Sequence, residues 1–523
     1  MKKFSVLVIC ICMIMLSCAC SSTTEGTSKT ENIKNDSLSV PETEAEAAGI
    51  GKIKDTIVLV NEKEPDTLDP RRGNGVSNNI VMNLIYDSLI RLDKDGKPQP
   101  RLAESWELID NTHLKVKLRE DVVFSNGSKF NADDVLFCLE RTLHDPTSQS
   151  TMAWYDPDKS TKEDDYNLTI AMKYPYAPIF WVLSGWRCWM GDKETMEEMG
   201  EDAYSRAPIG TGPYKLKNWV VGSELDFERN DSYWGETPKT KNITLRIVPE
   251  PANRVIELET GAADFAYYIA GTDKDRVESL PNAHVESGIS EKYYLITFNM
   301  QHKLLSNQHI RNALTFAIDV PQLTAAAFDN QAKAMTGMYP SIFPYFKDMD
   351  GGFKYDVEKA KEELKEAGYP DGFEIELHIL PGADYQRMAE IVQAYWSEIG
   401  VKAHIEQSEL GTREAQGPWE ASIRTATANE ISNVLIIYEK AFASRINSND
   451  DVLEKMLQDL KMEYDDSSRK VLLEKIQDYL FEKKYSIPFA ETDTIYGISD
   501  KIHNFKFTNN IAELNIPEWV VGE

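Results

Sequence analysis

The residue types that carry chemistry are present in this chain, but they are not spaced for catalysis. Its eight histidines are scattered. No His-Glu-x-x-His pair and no Cys-x-x-Cys occurs, so neither a metallohydrolase nor a zinc site has the ligand spacing it needs. No Gly-x-Ser-x-Gly turn exposes a serine nucleophile. With 85 acidic residues, a carboxylate pair for glycoside hydrolysis can be drawn almost anywhere, and the signal is empty. The stretch Gly210-Thr211-Gly212-Pro213-Tyr214 has permissive glycines and a fixed proline but lacks the lysine and helix opening of a phosphate loop. It reads as a tight turn. Arg311 and Asp319 lie on or beside one predicted helix and read as solvated or capping. No catalytic residue, resident metal or cofactor is expected, and binding rather than turnover is the class these absences favour.

Six cysteines look like a disulfide set until their positions are read. Four of them, Cys10, Cys12, Cys18 and Cys20, fall in a leader that opens with Met1-Lys2-Lys3 and continues as an apolar run from Val6 to Leu16. That run is too short to span a bilayer and reads as a secretion signal. Leu16-Ser17-Cys18-Ala19-Cys20 resembles the lipobox of bacterial lipoproteins, in which a cysteine after small residues is lipidated and becomes the new N-terminus. Ala19 favours Cys20 as that residue, and Cys18 also fits. A polar stretch without aromatic residues follows to about Gly51 and reads as a tether, because it cannot bury enough apolar surface to offset its ordering entropy. The expected boundaries are 1–19 for the signal peptide and 20–51 for the lipid-anchored tether. The body would then stand outside the cytoplasm, on the outer face of the bacterial cell membrane. In it only Cys138 and Cys188 remain, and their spacing leaves open whether they pair or stay as buried thiols.

The formal charge is −28. Nucleic acid and anionic membrane patches reward clustered Lys and Arg, so the charge argues against both as partners. Thr56-Ile57-Val58-Leu59-Val60 alternates as a strand, and Val81, Leu84, Ile85 and Leu89 keep helical spacing after it. Leu114, Val116 and Leu118 alternate before an Asn126-Gly127 turn, and Asn131 caps a helix that runs to about Leu143. The clearest stretch begins with a helix bearing Ala360, Leu364 and Ala367 and closed at Gly368. A strand over Phe373–Leu377, a helix bearing Met388 to Ile399 and closed at Gly400, and a strand over Val401–Ile405 follow. Strand, helix, strand at that spacing is a βαβ unit, which places at least one domain in the α/β class.

The segment Pro100-Arg101-Leu102-Ala103-Glu104-Ser105-Trp106, followed by Leu118-Arg119-Glu120-Asp121-Val122-Val123-Phe124, Asn126-Gly127 and Asn131-Ala132-Asp133-Asp134-Val135, resembles the signature of the peptide/nickel class of extracellular solute-binding proteins. Further landmarks of that class follow in order. They are Pro208–Tyr214, Tyr233-Trp234-Gly235, Glu259–Asp264, Phe298-Asn299, Ile310–Leu314 with Ala317-Ile318-Asp319, and Ala367–Phe373. The resemblance implies a bilobed α/β fold of the periplasmic-binding-protein type (type II, cluster C) with an extra subdomain. By that analogy 52–95, 207–292 and 490–523 form one lobe, 96–206 the extra subdomain and 293–489 the other lobe. It further implies a monomer that takes an oligopeptide or other small solute into a cleft closed by hinge motion and delivers it to ABC transporter permease subunits.

In peptide-binding members a late Trp-x-x-Asp-Tyr-like segment supplies an aspartate for the peptide's α-amino group. Here the region reads Trp419-Glu420-Ala421-Ser422-Ile423-Arg424-Thr425-Ala426-Thr427-Ala428-Asn429-Glu430. Aligned on Trp419, Ser422 stands where the aspartate belongs. Aligned on the following Asp-Pro, Glu430 is the nearest acid, with Asn429 beside it, and Ala421, Ile423 and Thr425 alternate as a strand. The candidate ligand-binding residues are therefore Trp419, Thr425, Thr427, Asn429 and Glu430, with the anchoring aspartate missing in either alignment. An oligosaccharide or a nickel chelate stays open beside the peptide. Trp154, Tyr155, Trp181, Trp186 and Trp189 form an aromatic group that suits either the cleft or a core.

Overall fold

The computed structural model describes residues 52–72, 76–93, 96–149, 151–408, 419–427, 435–440, 446, 448–508 and 514–522, and one eleven-stranded mixed sheet runs through them. Cys18 and Cys20, with the rest of the leader and the tether, lie outside the described residues. The sheet begins with Lys402–Gln407, Glu374–Ile379 and Ala421–Thr427. The order continues through Ala283–Phe298 and Ser486–Ser499 to Phe265–Ala266, Thr56–Asn61, Asn242–Ile247, Glu224–Arg229 and Tyr214–Val220, with Ala332–Ala334 paired beside Ser486–Ser499. Glu374–Ile379 and Lys402–Gln407 lie parallel and are joined by the helix Ala383–Ser397, so the βαβ unit read from the sequence forms. The helix before it, Val357–Glu366, ends where Gly368 takes φ 87°, a conformation that favours glycine.

Two strands belong to both halves of this bilobed α/β molecule. Ala283–Phe298 has 16 residues and Ser486–Ser499 has 14, and they pair antiparallel along most of their length. One buried apolar core gathers side chains from Ile57 to Tyr267 and from Tyr496 to Val521, and a second gathers them from Tyr293 to Ala490. The long strands pass from one core to the other near Tyr293, and there the ladder slips. Ile289 faces Asp493 and Tyr293 faces Glu491, so three residues on one strand stand against one on the other.

Residues between Ala103 and Ala171 build a separate antiparallel sheet with Leu114, Val116 and Leu118 turned inward. Asn131 and Asp134 form a reciprocal capping box at the start of the helix Ala132–Leu143. The aromatic group packs here: Trp154, Tyr155 and Trp189 are buried, Trp181 and Trp186 pack half-buried on the same core, and Trp154 stacks on Tyr176 at 5.6 Å. Cys138 and Cys188 are free and buried, and burial pushes both thiols up to about 12.

Several sequence landmarks converge on one carboxylate. Asp87 is fully buried and accepts from Arg101 Nε at 2.6 Å, Thr211 Oγ1 at 3.0 Å and Trp234 Nε1 at 2.9 Å. The glycines flanking Thr211 are there for close approach: a Cβ would lie 2.1 Å from the Ile85 carbonyl oxygen at position 210 and 2.5 Å from the Ile85 carbonyl carbon at 212. Gly212 N–H donates to that same oxygen at 2.8 Å. The helix Val76–Ile85 ends at this contact, so Leu89, read as part of its face, lies beyond it. Arg311 also departs from expectation. It is buried, not solvated, and donates to the carbonyls of Lys483, Leu305 and Ser306. Its position inside the packing of two segments far apart in sequence is invisible to helical spacing alone. Asp319 caps the next helix by accepting from Gln322 N.

Candidate functional site

The slip in the crossover ladder places Lys292 between the two cores. Ser290 Oγ accepts from Lys292 N at 3.1 Å and braces the bulge. The Lys292 side chain is solvent-exposed. Surrounding protein nevertheless opposes its charge, and Tyr294, Tyr385 and Glu62 outweigh that burial and raise its pKa. The side chain is thus reachable from solvent yet has protein groups around it. The ammonium sits 5.1 Å from the centre of the Tyr294 ring and has no carboxylate at ion-pair distance among the described residues.

One wall comes from the strand Ala421–Thr427. It runs antiparallel to the crossover strand, with Thr427 opposite Lys292 and Thr425 opposite Tyr294. Alternation puts these four side chains on one face of the sheet. Tyr385, from the helix Ala383–Ser397, covers that face and meets Thr425 Oγ1 at 3.2 Å. Burial raises the Tyr385 pKa, so its hydroxyl stays neutral and able to donate.

The other wall begins where the first strand ends. Glu62 is exposed just beyond Asn61 and close enough to raise the pKa of Tyr268 and Lys292. Tyr268 holds φ 54°, an uncommon conformation for an aromatic residue. Arg254 keeps it there by donating to the Tyr268 carbonyl at 2.7 Å while binding the Val248 and Pro249 carbonyls. Behind it, the fully buried hydroxyls of Tyr267 and Tyr496 have no hydrogen-bond partner among the described residues. Unpaired charges and a strained tyrosine are costly features, and their closeness makes this the candidate site.

Of the sequence-derived candidates, the structure brings Thr425 and Thr427 to this place. Trp419 stands beyond the opposite end of the same strand, about 26 Å away along it, buried with its carbonyl accepting from Asn299 Nδ2 at 2.7 Å. Asn429 and Glu430 lie outside the described residues. Lys292, Tyr294, Tyr385, Glu62 and Tyr268 are not singled out by the sequence. The charged pair Glu291-Lys292 directly before the apolar run Tyr293–Ile296 is a local signal that points to Lys292. Among the described residues no cluster of His, Cys, Asp or Glu could hold a metal ion, and no helix is long and apolar enough to cross a membrane.

The family model described as bacterial extracellular solute-binding proteins, family 5 Middle, matches residues 97–439. The glutathione-binding protein GsiB of Escherichia coli K12 is 30% identical over 379 residues, covering 71% of this chain and 73% of the relative. Among solved structures, DppA of Helicobacter pylori in complex with the peptide STSA superposes with a TM-score of 0.77 at 22% identity, covering 91% of this chain and 99% of that one. The oligopeptide-binding protein AppA of Bacillus subtilis, in complex with a nonapeptide, gives 0.76 at 21% identity, covering 90% of this chain and 100% of that one. NikA of Staphylococcus aureus, in complex with Ni(L-His)2, gives 0.75 at 19% identity with the same coverage. These likenesses establish the bilobed periplasmic-binding fold.

Proposed function

The chain belongs to the bacterial extracellular solute-binding proteins of family 5, and from that premise we propose that it captures a short peptide at the lobe crossover and delivers it to an ABC importer. The observation that carries this reading is the grouping of threonine and tyrosine hydroxyls on one side with unpaired charges of both signs, Lys292 at the crossover and Glu62 beyond the first strand. A peptide offers backbone donors and acceptors for the hydroxyls and charged ends for the ions. The ligands named for GsiB, DppA and AppA are peptides, which supports the same class here. In this reading 52–95, 207–292 and 490–523 form one lobe, 96–206 the extra subdomain and 293–489 the other lobe, and closure about the crossover buries the peptide. A lipidated Cys20, or Cys18, holds the protein at the outer face of the membrane beside its permease.

Native mass spectrometry of the purified protein against glutathione, tripeptides to pentapeptides, malto-oligosaccharides and Ni(L-His)2 tests the ligand class. Retention of peptides over the other two classes is the expected result. Selective retention of a sugar or the nickel chelate would overturn the peptide reading. The anchor has its own test: changing Cys18 and Cys20 together to Ala should release the protein into the medium, and continued membrane retention would contradict it.

A further inference from the structure

We infer that Lys292 selects ligands that carry a carboxylate, by pairing with it across the cleft. The inference rests on the peptide reading and sharpens it. A protein whose formal charge is −28 repels an acidic solute over most of its surface. An anionic ligand therefore needs a local cation at the point of capture, and Lys292 is placed to be one. The residue is solvent-exposed, its ammonium lies 5.1 Å from the centre of the Tyr294 ring, and no carboxylate among the described residues stands at ion-pair distance from it. The neighbouring lysines and arginines of the crossover are already used. Lys333 pairs with Glu491 at 2.7 Å, and Arg254 is spent on three backbone carbonyls.

The surroundings suit a carboxylate. Tyr294 lies under the ammonium and fixes it in direction, and Thr427, directly opposite on the neighbouring strand, adds a hydroxyl donor beside it. Glu62 lies close enough to interact with Lys292 but does not form an ion pair with it. That gap keeps the lysine available, and it also sets a limit: a ligand with clustered negative charge meets Glu62 as well. A peptide with a single carboxylate at this point, from its C-terminus or from an Asp or Glu side chain, satisfies Lys292 without that repulsion.

The test uses the full-length protein and two tripeptide libraries, one with free C-terminal carboxylates and one C-terminally amidated. Wild type, Lys292→Met and Lys292→Arg are compared for what they retain. Wild type is expected to retain the free-acid library, and from the amidated library only members containing Asp or Glu, which separates the two carboxylate sources. Lys292→Met should erase that preference by at least about tenfold, and Lys292→Arg should keep it. An unchanged urea midpoint for the Met variant excludes a folding cause. Equal retention of free acids and neutral amides by wild type, or an undiminished preference in Lys292→Met, overturns the inference while the peptide reading stands. If neither library is retained, the peptide reading falls and this inference with it.

Discussion

Asp87 and Lys292 are both charged groups set against the large sheet, and their surroundings are opposite. Asp87 is sealed from solvent and receives hydrogen bonds from Arg101, Thr211 and Trp234, each from a separate stretch of sequence. Lys292 is open to solvent, and no carboxylate pairs with it among the described residues. The first arrangement is complete without a ligand and is a piece of scaffold. The second lacks an ion-pair partner, and the nearby Tyr268 is held in an uncommon backbone conformation. On the proposed reading, stability and recognition are carried by different residues at different places in the fold.

The largest expected effect lies on the scaffold side. Asp87→Ala removes the buried acceptor shared by Arg101, Thr211 and Trp234 and should destabilise the protein by about 3–5 kcal/mol in urea unfolding. A cost near zero would place Asp87 with the ligand-facing groups and break the contrast.

A second scaffold carboxylate gives a pH signature. Asp134 is buried and accepts from Asn131 N and Lys193 N, and burial raises its pKa to about 6. An unfolded aspartate titrates near about 4. Between these values the folded state holds a proton that the unfolded state has lost, so this contribution is fully present below about pH 4 and falls as pH rises to about 6. The loss amounts to at most about 3 kcal/mol. The difference in urea midpoint between wild type and Asp134→Asn, followed from pH 4 to 7, should show that slope.

A smaller effect is expected where the two halves touch away from the crossover. Tyr464 OH accepts from Tyr176 N at 3.1 Å and donates to the Asn111 carbonyl at 3.3 Å, and Ala177 N donates to the Lys461 carbonyl at 2.7 Å. Tyr464→Phe removes one such bridge, worth about 1 kcal/mol, and should shift the protein toward an open form with a larger radius of gyration in small-angle scattering. The smallest stability effect belongs to Lys292→Met, within about 0.5 kcal/mol, since the exposed lysine forms no ion pair among the described residues and its contact with the Tyr294 ring is a weak one.

The same contrast explains what is legible in the sequence. The βαβ unit, the Asn131 cap and the Gly210-Thr211-Gly212 turn follow from local spacing and backbone rules, and the fold follows from the landmarks around them. Thr425 and Thr427 are reached through a strand pattern and a family segment. Lys292 and Glu62 are not, because their nearness depends on how strands distant in sequence are brought together by the whole sheet. The burial of Arg311 escapes local reading for the same reason: beside its near neighbours Leu305 and Ser306, it binds the carbonyl of Lys483, which is far away in sequence.

Hydrogen–deuterium exchange with and without the tightest-binding peptide of the panel tests the separation of scaffold from site most directly. The account predicts new protection in segments 62–68, 289–294 and 421–427, and none in 84–90, 208–214 and 230–235, which are already held around Asp87. Protection confined to the Asp87 segments, or absent from the crossover while binding is confirmed by calorimetry, would contradict it.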